Sequence, residues 1–415
     1  MAHEALFVGL DLGSYAIRVA AGKRLDDGQL QILGVGESPS AGISKGMVTS
    51  VEDAVSSVST AFEKSERMIG QPIERVTLGI TGTHIRAQET HGVVAVSKAD
   101  GEIREDDVER VIDAAQAVST PPNYEMLHVI PRSYTVDEQS GIKDPVGMSG
   151  IRLEVRAQVL QGLTTQIKHL TKCVYRTGVD IGDVVVGVLA SAEAALTRRQ
   201  KDLGVAILNL GASTTSLMVF EEGDVLHTAI FPIGAAHITN DIAIGLRTSI
   251  DLAERVKVEV GTALPDSVSK HDTVDLSEFD EQETERISRK HLAEIIGARL
   301  EEIYDFAEKE LKKIQRSGLL PAGVVLTGGG AKLPGVVEVA KEHFRLPASI
   351  GVPMGVTSAI DKINDPAFTT AVGLVLWSAS LQSAGSDGGL FRGKDLSSIG
   401  QVTGKMKKWL KTLIP

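Results

Sequence analysis

The apolar positions of the chain form the same pattern twice: a β-strand, a tight glycine turn and a second β-strand. The pattern occupies Leu6 to Ala20 and returns at Ala206 to Val219. Each turn consists of glycine and small residues between apolar runs, which predicts a β-hairpin. A single hairpin of this kind would not indicate a particular fold or function. Its repetition in the two halves predicts an internal duplication, in which each lobe offers a hairpin to a cleft between them.

Hydrophobic periodicity elsewhere predicts a further glycine-rich strand and several helices. A β-branched strand that begins near Ala322 runs into the triple glycine Gly328–Gly330 and is followed by a predicted helix near Val336–Phe344. Apolar residues at helical spacing predict a long core-facing helix over Ser288–Gln315 and a buried helix over Thr370–Leu381. The acid-rich stretch Asp266–Glu285 is predicted to be an exposed insertion.

Residues 82–161 are predicted to form a separate small module. Arg104–Ala117 has the apolar spacing of a helix, and Val93–Val96 and Tyr134–Val136 have the composition of short strands. The two prolines of Thr120–Asn123 predict a loop. No pattern in this module indicates catalysis.

The C-terminal segment differs in character from the rest of the chain. Ser383–Gly389 predicts a flexible linker. Beyond it, one face of a predicted helix is apolar and the other is basic. The apolar face consists of Val402, Met406, Trp409, Leu410, Leu413 and Ile414, and the basic face of Lys405, Lys407, Lys408 and Lys411. This pattern is typical of a helix that lies in a surface of anionic membrane lipid. A helix that docks onto the domain or onto a partner is the alternative.

Composition narrows the class of protein. A chain of 415 residues with 42% hydrophobic and 23% charged residues is predicted to be globular, with more than one core. A net charge of −11 argues against a nucleic-acid partner. The single cysteine excludes an internal disulfide and indicates a reducing compartment, and no secretory signal is recognisable at the start. No apolar run approaches the roughly 20 residues of a membrane-spanning helix.

The two glycine turns predict a site for a phosphorylated ligand. Small residues let consecutive backbone N–H groups point at one anion, so two facing turns could hold a triphosphate from both sides. Asp11 precedes the first turn and aligns with Asn209 before the second. An acidic residue there could hold the water shell of Mg²⁺. The triple glycine allows close approach to a base or ribose. Glu254 and Lys257, three residues apart on one helix face, could reach ribose hydroxyls or form a surface ion pair.

Together these features resemble the actin/Hsp70/hexokinase superfamily and, within it, the FtsA family of bacterial cell-division proteins. Leu127–Pro131, Ile142–Glu154 and Thr239–Ala243 are similar to signatures of that family, as is the C-terminal tail, and the resemblance covers nearly the whole chain. It implies an α/β, two-lobed actin-like fold with a nucleotide cleft, a small inserted 1C-type subdomain and a C-terminal amphipathic helix.

The resemblance also implies subdomain limits. Subdomain 1A would comprise residues 1–81 and 162–200, 1C residues 82–161, 2A residues 201–242 and 318–365, and 2B residues 243–317. Residues 366–382 would form a helix that returns to 1A, residues 383–400 a linker and residues 401–415 the membrane helix.

Carried over residue by residue, the resemblance implies an ATP site with Mg²⁺. Its predicted residues are Asp11, Gly13, Ser14 and Tyr15 in the first turn, Asn209, Gly211, Ala212, Ser213, Thr214 and Thr215 in the second, and Gly234, Glu254, Lys257, Gly328, Gly329 and Gly330 around the nucleoside. The family usually has Asp where Asn209 stands and often a second Gly at Ala235, so Mg²⁺ is expected to depend on Asp11. Gly187 occupies the position of the residue that orients the attacking water in actin relatives. The protein is therefore predicted to be at most a slow ATPase.

The resemblance implies a function at the inner face of the cell membrane at midcell. Members form actin-like filaments, bind the C-terminal peptide of FtsZ through 2B, tether it to the membrane and, in some bacteria, contact FtsN. The exposed side of the predicted helix 288–315 would supply the cationic edge of the FtsZ groove, with Arg286, Arg289, Lys290 and Arg299. The alternatives are a pilus-assembly homologue of the PilM type, a small-molecule kinase of the same fold and an Hsp70-like chaperone. A chaperone would need a peptide-binding domain where only a short tail follows the last predicted helix.

Overall fold

The first lobe begins with the first predicted hairpin. The computed structural model describes residues 6–97, 100–117, 121–281 and 283–386. Its first elements are β1 (Leu6–Leu12), β2 (Ala16–Arg24), β3 (Leu30–Pro39), β4 (Ile43–Ser44), β5 (Met47–Val48), α1 (Val51–Ile69) and β6 (Arg75–Ile80). Helix α1 begins where the Ser50 side chain accepts a hydrogen bond from the Asp53 N–H and ends at Gly70, which is left-handed (φ 74°). The predicted hairpin Leu6–Ala20 is confirmed.

The inserted module is a four-stranded antiparallel sheet covered by one helix. Its elements are β7 (Ile85–Ala95), α2 (Glu105–Ala117), β8 (Tyr124–Val136), β9 (Gln139–Ile142) and β10 (Arg152–Leu163), and the strand order is β7-β10-β8-β9. The predicted helix is confirmed, but the prediction of short strands was wrong. Strand β7 pairs with β10 along its whole length although Arg86, Gln88 and Glu89 are polar and exposed. In a sheet with one solvated face, residues that point to the solvent are polar, so a search for apolar runs detects only part of each strand.

The chain then returns to the first lobe and enters the second. The first lobe gains α3 (Thr164–Tyr175), β11 (Asp180–Val186), α4 (Gly187–Ala195) and α5 (Arg198–Leu203). The second lobe contains β12 (Val205–Leu210), β13 (Thr215–Glu221), β14 (Asp224–Phe231), α6 (Ala235–Leu246), α7 (Ile250–Val260), β15 (Thr273–Asp275), β16 (Arg286–Ser288), α8 (Arg289–Lys313), β17 (Val324–Thr327), α9 (Val336–Phe344) and β18 (Ala348–Ile350). Its sheet has the order β14-β13-β12-β17-β18.

The second lobe matches its sequence predictions closely. Helix α8 is capped by Ser288, whose side chain accepts from the His291 N–H, and the backbone turns left-handed at Gln315 (φ 59°). Most of its apolar stripe, including Leu292 and Ile296, is buried, and the helix packs against α6 and α9. The predicted second hairpin, the strand before the triple glycine and the helix after it are confirmed by β12, β13, β17 and α9.

The last elements close the first lobe. They are β19 (Val356–Thr357) and α10 (Thr369–Ser386), and the first-lobe sheet has the order β11-β6-β1-β2-β3-β19. Helix α10 crosses α4 very closely, since a Cβ on Gly373 would lie 1.9 Å from the Ala190 carbonyl oxygen. The predicted buried helix is confirmed, but the linker was placed too early because α10 continues through Ser386. The rest of that linker and the predicted membrane helix lie outside the described residues. Within the described residues, no helix has the length and apolarity to cross a bilayer.

Candidate functional site

A cavity of about 450 Å³ lies between the two lobes, within the range of small-molecule sites. Both hairpin turns, the triple glycine and helix α7 line it. Of the predicted nucleotide residues, those at the cavity wall are Asp11, Gly13, Ser14, Tyr15, Asn209, Gly211, Ala212, Ser213, Thr214, Glu254, Lys257, Gly328, Gly329 and Gly330. The fold therefore brings together residues from four separate regions of the chain.

The two turns close in the same way. A Cβ on Gly13 would lie 2.6 Å from the Ala16 carbonyl oxygen, and a Cβ on Gly211 would lie 2.7 Å from the Thr214 carbonyl oxygen. A side chain at either glycine would therefore push the hairpin apart. The matching contacts support the duplication that the sequence predicts.

Thr215 and Gly234 stand behind the second turn rather than at the cavity wall. The Thr215 hydroxyl is fully buried and donates to the Ile233 carbonyl oxygen at 2.8 Å. A Cβ on Gly234 would lie 2.4 Å from the Gly211 carbonyl oxygen. The Ala235 N–H donates to that same oxygen at 2.8 Å, so the start of α6 supports the turn. Both residues can shape the phosphate loop without touching a ligand.

Asp11 is the carboxylate at the first turn, and its environment is unusual. Burial raises its pKa to about 6, against the opposing charge of Arg18. Arg18 lies directly opposite Asp11 in the hairpin register, lines the cavity and forms an ion pair with Glu37 at 2.8 Å. Lys362 pairs with the other oxygen of Glu37 at 2.5 Å. Sequence reasoning missed Arg18, although a hairpin closed at Gly13 places it across from Asp11.

The residues around Asp11 fit a metal that arrives with phosphates. Among the described residues, no group of three or more His, Cys, Asp or Glu side chains could hold a metal ion. Mg²⁺ in nucleotide sites keeps several waters and takes one or two carboxylates together with phosphate oxygens. The Asp11 carboxylate lies beside a phosphate-type turn at the cavity wall and would supply that one ligand position, directly or through water.

The side chain of Asn209 makes different contacts from that of its counterpart Asp11. Its amide nitrogen donates to Ser191 Oγ and to Thr370 Oγ1, both at 3.1 Å. Those two hydroxyls lie 2.9 Å apart, and the Ser191 hydroxyl also bonds to the Gly187 carbonyl oxygen at 3.0 Å. Ser191 and Thr370 belong to helices of the first lobe, so Asn209 joins the two lobes at the floor of the cleft. Its amide donors are committed to that junction.

Helix α7 presents the Glu254 and Lys257 pair to the cavity. Lys257 Nζ lies 2.6 Å from Glu254 Oε2 and 2.7 Å from Thr239 Oγ1. The Thr239 hydroxyl in turn donates to the same carboxylate oxygen at 2.5 Å. The ion pair is present, but the prediction that it lies at the surface was wrong, because Lys257 is buried against Thr239. An ion pair at the cavity wall is compatible with a ligand contact. The second oxygen of Glu254 has no hydrogen bond to a described residue and can face a ligand hydroxyl.

An apolar wall stands beside this pair. Val258 is 65% exposed in spite of lining the cavity, and Ile238, Leu333 and Pro334 line the same region. An exposed valine next to a glycine-rich backbone provides a surface for a flat, apolar ring. Sequence reasoning missed these residues because each looks like an ordinary helix or turn position.

The carboxylates at the cavity wall are mostly neutralised. Glu37 pairs with Arg18 and Lys362, Glu254 with Lys257, and Asp365 with Lys332 at 2.6 Å. A Cβ on Gly187 would lie 2.3 Å from Thr81 Oγ1, so a side chain at this position would require Thr81 to move. These contacts remove the obvious candidates for activating a water molecule.

Two lobes with duplicated glycine turns across a cleft define an actin-like protein. Solved structures with this fold include the PilM–PilN type IV pilus biogenesis complex, with a TM-score of 0.67, 15% identity and coverage of 90% of this chain and 98% of that one. MreB5 of Spiroplasma citri bound to AMPPNP has a TM-score of 0.55 and 13% identity, over 92% of this chain and 98% of that one. At these identities the likeness concerns the fold alone.

Closer relatives identify the family. The model of cell division protein FtsA matches residues 206–373, and the model of the SHS2 domain inserted in FtsA matches residues 82–161. Cell division protein FtsA of Pseudomonas aeruginosa is 36% identical over 98% of this chain and 97% of its own length. The Bacillus subtilis protein is 38% identical over 90% and 84%, and that of Escherichia coli K12 is 32% identical over 98% and 97%. The chain belongs to the FtsA family of cell-division proteins, as its sequence signatures predict.

Proposed function

We propose that this protein is an ATP-binding, filament-forming cell-division protein that tethers FtsZ filaments to the inner face of the cytoplasmic membrane. The observation that carries the proposal is the cleft itself, whose wall contains two equivalent glycine turns and the Asp11 carboxylate, in a chain of the FtsA family. The alternative of a PilM-like pilus protein has only a fold-level likeness in its favour. A kinase of this fold would need a carboxylate base at the cavity wall. Among the described residues that line the cavity, every carboxylate except Asp11 pairs with a lysine or an arginine. FtsN or another divisome protein would be a further partner.

Different residues of the cleft would bind different parts of the nucleotide. Backbone N–H groups of the two turns would hold the phosphates, and Asp11 would hold Mg²⁺ through water. The metal would neutralise charge on the phosphates. Glu254 and Lys257 would face the ribose, while the triple glycine and Val258 would enclose the base. With the remaining carboxylates paired, hydrolysis should be well below the usual enzyme range of about 1–1,000 per second.

Reconstitution on vesicles tests the whole proposal. FtsZ filaments should sediment with vesicles that contain anionic lipid only when this protein and ATP are both present. FtsZ without its C-terminal peptide should stay in the supernatant. If FtsZ sediments equally without this protein, or if the protein binds no ATP, the proposal is wrong.

Acid should weaken Mg²⁺-dependent ATP binding through Asp11. Mg²⁺ requires the ionised carboxylate, whereas burial raises the pKa of Asp11 to about 6 in the empty cleft. Affinity should therefore be constant above pH 6 and fall by up to about tenfold per pH unit below it. Isothermal titration calorimetry between pH 5 and pH 8 measures this change, with Asp11→Asn as the control that should show a flat profile. An equally steep profile for Asp11→Asn would assign the effect to another group.

The stability of the empty protein should change with pH in the opposite sense. The folded-state pKa of Asp11 lies above its ordinary value of 3.8, so the folded state binds the proton more tightly than the unfolded chain does. The contribution of Asp11 to the free energy of unfolding should therefore be lost as pH rises from about 4 to about 6. Comparing thermal unfolding of the wild type with that of Asp11→Asn over this range isolates the contribution.

The predicted cationic edge for the FtsZ peptide is only partly available. Arg286 lies on β16 rather than on the helix, where it contacts Asp275 at 3.0 Å with 71% of its side chain exposed. Lys290 lies 3.7 Å from Asp266. Arg289, by contrast, donates to the Val260 carbonyl oxygen at 3.2 Å, and Arg299 forms a two-pronged ion pair with Asp241 of α6. The prediction that all four project from the exposed side of helix 288–315 was wrong, because α8 uses Arg289 and Arg299 to pack within its own lobe.

Reversing the charges of Arg286 and Lys290 should weaken FtsZ-peptide binding. We expect Arg286→Glu/Lys290→Glu to lower the affinity by about tenfold, or roughly 1.4 kcal/mol, and to leave ATP affinity unchanged. Fluorescence anisotropy of a labelled FtsZ C-terminal peptide measures the effect. Lys341→Glu/Arg345→Glu at the end of α9 is the matched control, since it makes the same charge change elsewhere in the second lobe. Normal peptide binding by the double variant would place the groove on another face.

A further inference from the structure

The inserted module, residues 82–161, is anchored in the first lobe. Its strands β8 and β10 contribute Leu127, Ile130 and Leu160 to the first-lobe core. The buried His128 accepts a hydrogen bond from the Val186 N–H at 3.1 Å, and its ring packs edge-on against Trp377 of α10. The base of the module should therefore move with the first lobe.

The same module also contacts the second lobe. Lys143 forms an ion pair with Asp224 at the start of β14, and its Nζ lies 3.3 Å from the Glu222 carbonyl oxygen. The Gln158 side-chain oxygen accepts from the Thr228 hydroxyl at 2.7 Å. Gln158 is 8% exposed and Thr228 is 4% exposed, so this hydrogen bond is shielded from water. Lys143 belongs to the segment Ile142–Glu154, which is similar to a signature of the FtsA family. This segment does not line the nucleotide cleft.

Strand β14 continues directly into the support of the second phosphate turn. It ends at Phe231, and the Ile233 carbonyl oxygen then accepts from Thr215. Gly234 lies against the Gly211 carbonyl oxygen, within the turn that lines the cleft. The contact between the module and β14 is thus linked to the phosphate turn by a short, hydrogen-bonded segment of chain.

We propose that the inserted module senses the nucleotide through its contact with β14, and that Lys143 and Gln158 are the residues that couple them. The inference rests on the proposed ATP binding. A ligand that repositions the second turn would shift β14, and the module would follow because it is held by both lobes. Coupling between two sites is reciprocal, so loosening this contact must alter nucleotide binding although neither residue lines the cleft.

Charge exchange across the contact tests the proposal in the full-length protein. We expect Lys143→Glu and Asp224→Lys each to accelerate release of a fluorescent ATP analogue with Mg²⁺ by about fivefold, the lower end of typical coupling. The double exchange should slow release again relative to either single variant, because the ion pair is re-formed with opposite polarity. The recovery should be partial, since Glu222, which lies 3.6 Å from Lys143 in the wild type, is unchanged. Arg104→Glu is the matched control: Arg104 pairs with Asp100 and Glu102 inside the module, so release should be unchanged.

Amide hydrogen exchange of the wild-type protein provides a test that needs no variant. Addition of the ATP analogue should slow exchange over residues 139–146 and 222–228, which lie outside the cleft. Unchanged exchange there, or single variants that release the analogue at the wild-type rate, would overturn the inference and leave ATP binding intact. Failure of the wild-type chain to bind the analogue would overturn the proposed function, and the inference with it. A double exchange as fast as the single variants would also contradict the role of this ion pair.

Discussion

Asp11→Ala is expected to abolish most of the Mg²⁺-dependent part of ATP affinity, a loss of about 10- to 100-fold. Asp11 is the carboxylate at the first turn, and its partner across the hairpin, Arg18, is held by Glu37. Asn209→Ala removes no charge. It should loosen the junction with Ser191 and Thr370 and weaken ATP binding, while the ratio of affinities with and without Mg²⁺ stays near that of the wild type.

Calorimetric titration of ATP in Mg²⁺ and in excess chelator separates the two effects. Asp11→Asn, which keeps the shape of the side chain and removes its charge, should behave like Asp11→Ala in Mg²⁺. Thermal unfolding of each variant verifies that the fold is intact. Equal loss of the Mg²⁺-dependent component in Asp11→Ala and Asn209→Ala would show that the two turns share the metal, and the proposed division of roles would be wrong.

Deletion of the chain from Val402 onward should release the protein from vesicles. The proposed membrane helix presents Trp409 and Leu410 on its apolar face and four lysines on the other, each lysine adding about 1 kcal/mol toward anionic lipid. Ordering the backbone opposes this by about 1–2 kcal/mol per residue before hydrogen bonds form, so one copy should bind weakly and a filament firmly. Trp409→Glu should have nearly the effect of the deletion.

Vesicle sedimentation measures the release, with ATP affinity as the check that the body is intact. Trp409→Phe is the matched control, because it keeps an aromatic ring at the level of the lipid head groups. Binding of the wild type should also fall with added salt and with neutral lipid. A truncated protein that sediments as well as the full chain would show that the anchor lies elsewhere.

The sequence by itself determined the repeated elements of this protein. The hairpins at Leu6 and Ala206, the strand before Gly328 and the long helix after Ser288 are all recognisable because their apolar residues recur at a regular period and their ends carry glycines or a capping serine. Each of these signals depends on residues close together in the chain. Most of the predicted phosphate-turn residues reach the cavity wall for the same reason, since a turn carries its own geometry.

The cationic partners of the site were decided by tertiary structure. Lys332 and Lys362 meet Asp365 and Glu37 only after the sheet and the closing loop have assembled, whereas Arg18 meets Glu37 across the neighbouring strands β2 and β3. Arg299 looked like an exposed charge on a helix until α6 placed Asp241 against it. A sequence gives the charge of a side chain, whereas its availability depends on which oppositely charged group packs nearby.

The difference between Asp11 and Asn209 separates what local sequence determines from what the packing of the two lobes determines. Sequence alignment of the two hairpins makes the residues equivalent and shows that only Asp11 brings a charge. Only the packed structure shows that the amide of Asn209 donates to Ser191 and Thr370, because those hydroxyls arrive on helices from the other lobe. Local sequence thus determined the two turns and placed the carboxylate on the first, whereas the association of the lobes committed the second to the junction between them.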